Sequence, residues 1–166
     1  MAEIFVSLGS NIDRERQLRR ACTALREAFG QLGLSPVYES SAVGFDGPPF
    51  YNAVVRAQTA LDIDAVFTTL RAIEDAQGRV RQADSFHSRT LDLDLLLYDD
   101  LVLETPTAAL PRDEILRYAF VLGPLADLAG DRRHPVSGKT YAALWAAFDQ
   151  ASQPLTRVAF DWDCPA

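Results

Sequence analysis

The sequence predicts an α+β protein with a ferredoxin-like βαββαβ core, an antiparallel sheet with helices packed on it, and C-terminal additions. Three observations carry that prediction. Stretches with strand-like and helix-like apolar spacing follow one another in the order strand–helix–strand–strand–helix–strand. Each helical stretch has an apolar stripe on one face and a glycine just past its end. The chain of 166 residues, 48% apolar and 23% charged, is one domain's worth and long enough for a real core, so residues 1–166 read as a single domain.

Ile4-Phe5-Val6-Ser7-Leu8 reads as the first strand, ending at Gly9. Residues 14–29 read as a helix whose stripe is Leu18, Ala21, Cys22, Leu25, Ala28 and Phe29, with Gly30 as its stop. Strands follow near 34–41 and 52–60, joined by the loop Gly44-Phe-Asp-Gly-Pro-Pro49, which is rich in turn residues. Asp62 can cap a second helix through about Gln77, with Val66, Leu70 and Ile73 inward and Gly78 as terminator. The fourth strand begins near Leu91. A helix around Tyr141–Phe148 and a short strand near Leu155–Phe160 are the additions.

Composition excludes several classes. The balance of 16 basic against 23 acidic residues gives a net charge of −7, which argues against nucleic acid as a partner. An anionic substrate would have to be drawn in by a local basic cluster. No apolar run approaches the ~20 residues that a membrane helix needs. The opening Met-Ala-Glu-Ile-Phe carries no secretory pattern, and Cys22 and Cys164 are too few for a disulfide framework, so a reduced cytoplasmic setting is the expectation.

The fourth strand holds the densest chemistry. In Arg89-Thr90-Leu91-Asp92-Leu93-Asp94-Leu95, three leucines alternate with two aspartates, which sends the leucines to the core and both carboxylates to the other face, about 7 Å apart. Asp is disfavoured in strands, and two like charges at this spacing repel. A cation turns the liability to use, because Mg²⁺ is bound by one or two carboxylates together with substrate phosphates. Arg79 and Arg81 lie on one face of an extended segment, Arg89 precedes the acids, and Glu74 lies one turn upstream of the pair. Guanidinium groups beside paired acids suit a metal–polyphosphate site. Taken alone, the same residues also fit a strand with a wet acidic face and a solvated salt-bridge network.

Arg89-Thr-Leu-Asp92-Leu-Asp94-Leu-Leu resembles the signature R-x-x-D-[LIV]-D-[LIVM]-[LIVM] of the 6-hydroxymethyl-7,8-dihydropterin pyrophosphokinase family of the folate pathway. The resemblance continues through Ser7-Leu-Gly9-Ser10-Asn11, Tyr51-Asn52-Ala53, Glu74, Gly78-Arg79-Val80-Arg81, Ala119-Phe120-Val121-Leu122-Gly123-Pro124-Leu125 and His134-Pro135. These blocks keep the family's order and spacing over about residues 3–150.

The resemblance implies an enzyme that transfers pyrophosphate from ATP to the pterin's hydroxymethyl group and releases AMP. It implies that Asp92 and Asp94 hold two Mg²⁺ and that Arg79, Arg81 and Arg89 act on the transferring phosphates. Glu74, Leu95, Arg112 and Tyr118 join those arginines around ATP. Gly9, Ser40, Val43, Phe50, Asn52 and Phe120 surround the pterin, with the two phenylalanines on either side of the bicycle and Asn52 at its amide-like edge. Family loops corresponding to 44–50 and 82–88 close over substrates. A monomer working on two small molecules is expected.

Departures from the family pattern fall around the phosphates. His87-Ser88 replaces Gly-Pro before the signature arginine, and Phe86 stands where a tryptophan is common. Pro111-Arg112 replaces Pro-His, and Tyr118 replaces an arginine, with Arg117 one position early. The turn Ser40-Ser-Ala-Val-Gly44 replaces a proline-rich one. A paralogue acting on another pterin or alcohol, or a binding domain without turnover, are the alternative readings. His87 and His134 read as a loop residue and a structural turn residue respectively.

Overall fold

A computed structural model describes residues 1–44, 46–78 and 91–163. Arg79, Arg81, Arg89, the loop 82–88 with Phe86 and His87, Phe45 and Cys164 lie outside the described residues.

The chain runs from β1 (Ala2–Ser10) into α1 (Arg14–Phe29), whose stripe Leu18, Ala21, Cys22, Leu25 and Phe29 is buried. Gly30 ends this helix at φ 80, a conformation that glycine adopts without steric cost. The strand expected near 34–41 is two short pieces, β2 (Gly33–Leu34) and β3 (Val37–Ser40). Pro36 has no N–H for a ladder, and the break is bridged by Ser35. Its amide donates to the Val54 carbonyl (3.0 Å), and its hydroxyl accepts from the Val54 amide (2.8 Å). β4 (Phe50–Thr59) begins two residues earlier than the alternation suggests. The Asp62 side chain caps α2 (Ile63–Ala76) by accepting from the Ala65 amide, and β5 (Asp92–Tyr98) completes the core order.

Within the sheet the order is β5-β1-β4-β3, all antiparallel, with β2 also paired to β4. Placing the fourth strand beside the first and the third on the first's other side is the ferredoxin-like arrangement. Additions follow: a hairpin of β6 (Leu103–Glu104) and β7 (Ala109–Leu110), helices α3 (Glu114–Arg117), α4 (Ala119–Ala129) and α5 (Tyr141–Ala147), and β8 (Thr156–Val158), which extends the sheet beside β3.

The sheet separates two cores. On one face Ile4, Val6, Leu8, Ala53, Val55, Leu93 and Leu95 pack against α1 and α2. On the other Phe5, Val54, Leu96 and Leu97 pack against α4 with Leu122, Leu125 and Tyr141. Each fully buried large side chain contributes about 1.5–3 kcal/mol relative to exposure. The run Leu95-Leu96-Leu97 breaks the alternation because of a β-bulge. Val6 pairs with Leu95 and Phe5 with Leu97, which leaves Leu96 as the extra residue and sends Leu96 and Leu97 to the same side.

α4 is the principal element that periodicity does not reveal. It is buried between the sheet and α5, so its apolar residues go nearly all round, and Gly123-Pro124 in its middle reads as a breaker. Gly123 is the point of close approach to α5: a Cβ there would lie 3.2 Å from the Trp145 ring.

His134 is structural, as its place before Pro135 suggests. It is buried, and its Nδ1 accepts from the amides of Val136 (3.2 Å) and Ser137 (3.1 Å). Burial lowers its pKa below 6.5. A depressed histidine contributes stability that is complete above pH 6.5 and is lost as pH falls through the folded-state value. We expect the His134 ring protons to titrate in NMR with a midpoint below 6.5 and the melting temperature to fall through that same range. A midpoint at or above 6.5 would contradict this assignment.

Candidate active site

Antiparallel pairing sets opposed residues on the same face of a sheet. Tyr38 opposes Asn52, Asn52 opposes Gly9, and Gly9 opposes Asp92. One row across β3, β4, β1 and β5 therefore carries a hydrogen-bonding amide and a metal-type carboxylate with only a glycine between them. Strands lie about 4.8 Å apart, so the Asn52 and Asp92 backbones are roughly 10 Å apart. The next row sets Val54, Ser7 and Asp94 side by side. Val54 belongs to the core beneath α4, so the acids and Asn52 open on that side of the sheet.

Asn52 is buried and fixed. Its Nδ2 donates to the Ser40 hydroxyl (2.7 Å) and to the Tyr38 carbonyl (3.3 Å). Its Oδ1 is turned toward Gly9, where an added Cβ would lie 3.5 Å from that oxygen and 3.7 Å from the Phe50 ring. Any side chain at this position would fill the floor between Phe50 and Asn52. Phe50 is half-buried at the start of β4, and Val43 is exposed in the loop before it. Phe120 is half-buried in the first turn of α4. The Tyr118 ring stacks on it at 5.0 Å between centroids and 18° between planes, and the Arg117 guanidinium lies 5.2 Å over the Tyr118 ring. The residue in the place of a family arginine thus covers one face of Phe120.

Asp92 and Asp94 are both half-buried near the start of β5, while Leu91, Leu93 and Leu95 are buried on the opposite face, as the alternation requires. The Arg112 Nη2 lies 3.4 Å from Asp94 Oδ1 and 2.8 Å from Glu114 Oε1, and its Nε donates to the same Glu114 oxygen (3.0 Å). Its backbone amide donates to the Leu96 carbonyl (3.0 Å), which fixes residue 112 beside β5. Burial, then the charge of Asp92, push the Asp94 carboxyl well above the usual carboxylate range, although Arg112 opposes them. Burial alone would lower the Arg112 guanidinium, but Asp94 and Glu114 hold it above its ordinary value. Arg112 thus pairs with Asp94 and Glu114, with Asp92 close enough to act on its charge, and the carboxylate oxygens here are donors of the kind a hard divalent cation takes. Among the described residues no three of His, Cys, Asp and Glu are placed to hold one metal ion together, so the protein would supply the carboxylate pair and leave further positions to water and phosphate.

Two residues expected around the nucleotide lie on or against β5. Glu74 is buried on α2, and its Oε2 accepts from the Leu93 amide (2.8 Å), so it secures the outer edge of the acid strand. The Leu95 side chain lies in the core beneath α1 and α2, facing away from the acids, so a nucleotide could reach only its backbone. Glu114 escapes sequence reasoning because it lies on a four-residue helix with no periodic pattern to mark it.

Residues 5–130 match the 7,8-dihydro-6-hydroxymethylpterin-pyrophosphokinase (HPPK) family. The 2-amino-4-hydroxy-6-hydroxymethyldihydropteridine pyrophosphokinase of Pseudomonas aeruginosa is 38% identical over 148 residues, 87% of this chain and 90% of that protein. The enzyme of that name in Aquifex aeolicus is 31% identical over 84% of this chain and 88% of its own length. The folic acid synthesis protein fol1 of Pneumocystis carinii is 35% identical over 143 residues, which are only 19% of that longer protein. Among solved structures, an HPPK-DHPS in complex with substrates aligns with a TM-score of 0.73 at 10% identity, over 90% of this chain and 44% of that one. Plasmodium falciparum HPPK-DHPS with pteroate aligns with a TM-score of 0.72 at 13% identity, over 87% of this chain and 42% of that one. Those two likenesses concern the fold. With the family match running from β1 through α4 and the acid strand lying within it, the chain belongs to the 7,8-dihydro-6-hydroxymethylpterin-pyrophosphokinase family.

Proposed function

We propose that this protein transfers pyrophosphate from ATP to the hydroxymethyl group of 6-hydroxymethyl-7,8-dihydropterin in folate biosynthesis. The observation that carries the reading is the row that sets Asn52, Gly9 and Asp92 side by side. An amide suited to a pterin edge and a carboxylate suited to a metal–phosphate site share one rigid floor, and only glycine stands between them. The pterin hydroxymethyl oxygen bonds to the β-phosphorus of ATP as the bond from that phosphorus to the α–β bridging oxygen breaks. AMP leaves with the bridging oxygen, and the hydroxyl proton is released.

Most of the work is positioning and electrostatics. Asn52, held by Ser40, orients the bicycle edge, and Phe50 and Phe120 offer it aromatic faces. Asp92 and Asp94 would hold two Mg²⁺, which when bound neutralise phosphate charge and polarise the reacting phosphoryl group. Arg112 adds a fixed positive charge beside Asp94. Arg79, Arg81 and Arg89 complete the polyphosphate contacts in this proposal, on the strength of the family signature. In the same reading the protein works as a monomer in the cytoplasm. No helix among the described residues is long and apolar enough to cross a membrane.

Incubation with ATP, Mg²⁺ and 6-hydroxymethyl-7,8-dihydropterin should yield AMP and the pterin pyrophosphate in equal amounts. Failure to form either product would refute the activity. Asp92→Ala and Asp94→Ala should each abolish turnover while the melting temperature holds or rises, because losing one carboxylate relieves like-charge repulsion. Near-normal turnover in either variant would remove the metal assignment.

Arg112 supplies a permanent charge where histidine's would depend on pH. Arg112→Ala should raise the KM for ATP by about tenfold, equivalent to roughly 1.4 kcal/mol. Arg112→His should recover part of that loss, more at pH 6 than at pH 8. An Arg112→Ala enzyme with a wild-type ATP titration would reduce the residue to a partner of Glu114.

A further inference from the structure

We propose that Arg14 is a positioning residue for the pterin slot, holding the two chain segments that form its rims at a fixed separation. The inference rests on the reading of Phe50 and Asn52 as pterin contacts. Arg14 is the first residue of α1, and its side chain is only 29% exposed. Its Nη1 lies 2.8 Å from Glu39 Oε2 and donates to the Pro49 carbonyl (3.1 Å). Its Cζ sits 3.7 Å over the centre of the Tyr51 ring.

Each of these partners is the immediate neighbour of a slot residue. Pro49 precedes Phe50. Glu39 precedes Ser40, whose hydroxyl accepts from Asn52. Tyr51 lies between Phe50 and Asn52, with its own ring on the opposite face of β4 in the core beneath α1. One guanidinium is thus tied to the chain beside Phe50, beside Ser40 and beneath Asn52 while standing behind the slot. The fastening continues on both sides. Asn11 Nδ2 donates to the Pro48 carbonyl (3.0 Å), one residue earlier in the same loop. From the far side Phe160 meets the Tyr51 ring edge to face at 6.2 Å and is itself covered by the Arg19 guanidinium at 4.8 Å.

An isolated surface ion pair would add little. Three contacts converging on one planar group are different, because a guanidinium can stack on a ring with its face while its edge donates to two oxygens. A lysine at this position could keep the charge and one hydrogen bond, but could not stack and fork together. Since Arg14 touches the backbone that leads into Phe50, its loss should loosen pterin binding and leave the acid strand, two strand positions across the sheet from β4, unaffected.

The test is a titration of 6-hydroxymethylpterin into the full chain with Mg²⁺ and α,β-methylene ATP, alongside an ATP-analogue titration and a thermal melt. Arg14→Ala should weaken pterin binding by about tenfold and leave the nucleotide Kd within about twofold. Arg14→Lys should fall between the two, and Glu39→Gln should show a smaller loss of the same kind. Equal weakening of both ligands, together with a lowered melting temperature, would make Arg14 a general fold contact and overturn the proposal. Unchanged pterin binding in Arg14→Ala would also overturn it while leaving the pterin reading intact. Absence of pterin binding by the wild-type chain would defeat that reading, and this inference with it.

Discussion

β1 accepts an antiparallel partner along each edge, and that double pairing fixes the distances on which the site depends. Its neighbours β4 and β5 carry the two halves of the proposed site, an amide with aromatic company on one and a carboxylate pair on the other. Neither half can move relative to the other without breaking the ladder. A shift by one residue would turn every site side chain into the opposite core. The same constraint explains why position 9 has no side chain. It is the one place in the row where a substituent would stand between the amide and the acids.

The charges obey a related logic. Two carboxylates on adjacent outward positions of a strand are unfavourable alone, and partial burial makes them more so. Arg112 meets part of that cost for Asp94 while it is shared with Glu114. Its neighbours also show how departures from the family pattern are absorbed locally. Tyr118 contributes a stacked ring where an arginine would contribute charge, and Arg117 returns a charge by lying over that ring.

Much of this was legible in the sequence, for reasons that can be named. The alternation of Leu91, Leu93 and Leu95 with Asp92 and Asp94 is a strand with one dry and one wet face, and burial follows it. The stripes of α1 and α2 are one-sided because each helix has one face on the sheet. α4 was not legible, because a helix buried on two sides loses its periodic signature and Gly123-Pro124 argues locally against it. The contact of Glu74 with the Leu93 amide was hidden as well. A buried carboxylate that holds an edge amide is fixed by tertiary contact, and spacing cannot distinguish it from a ligand contact. Ser40, Asn52 and Gly9 were nameable only through resemblance, since each is unremarkable alone and acquires meaning from the register that aligns them.

The bulge at Leu96 has a consequence for how the site is prepared. Its carbonyl is the acceptor to which the Arg112 amide is pinned, so the cation and the acid pair are mounted on one strand only a few residues apart. The Arg112 charge beside the acids is therefore placed when the chain folds, and a polyphosphate received at this face would spend no binding energy on positioning that one guanidinium.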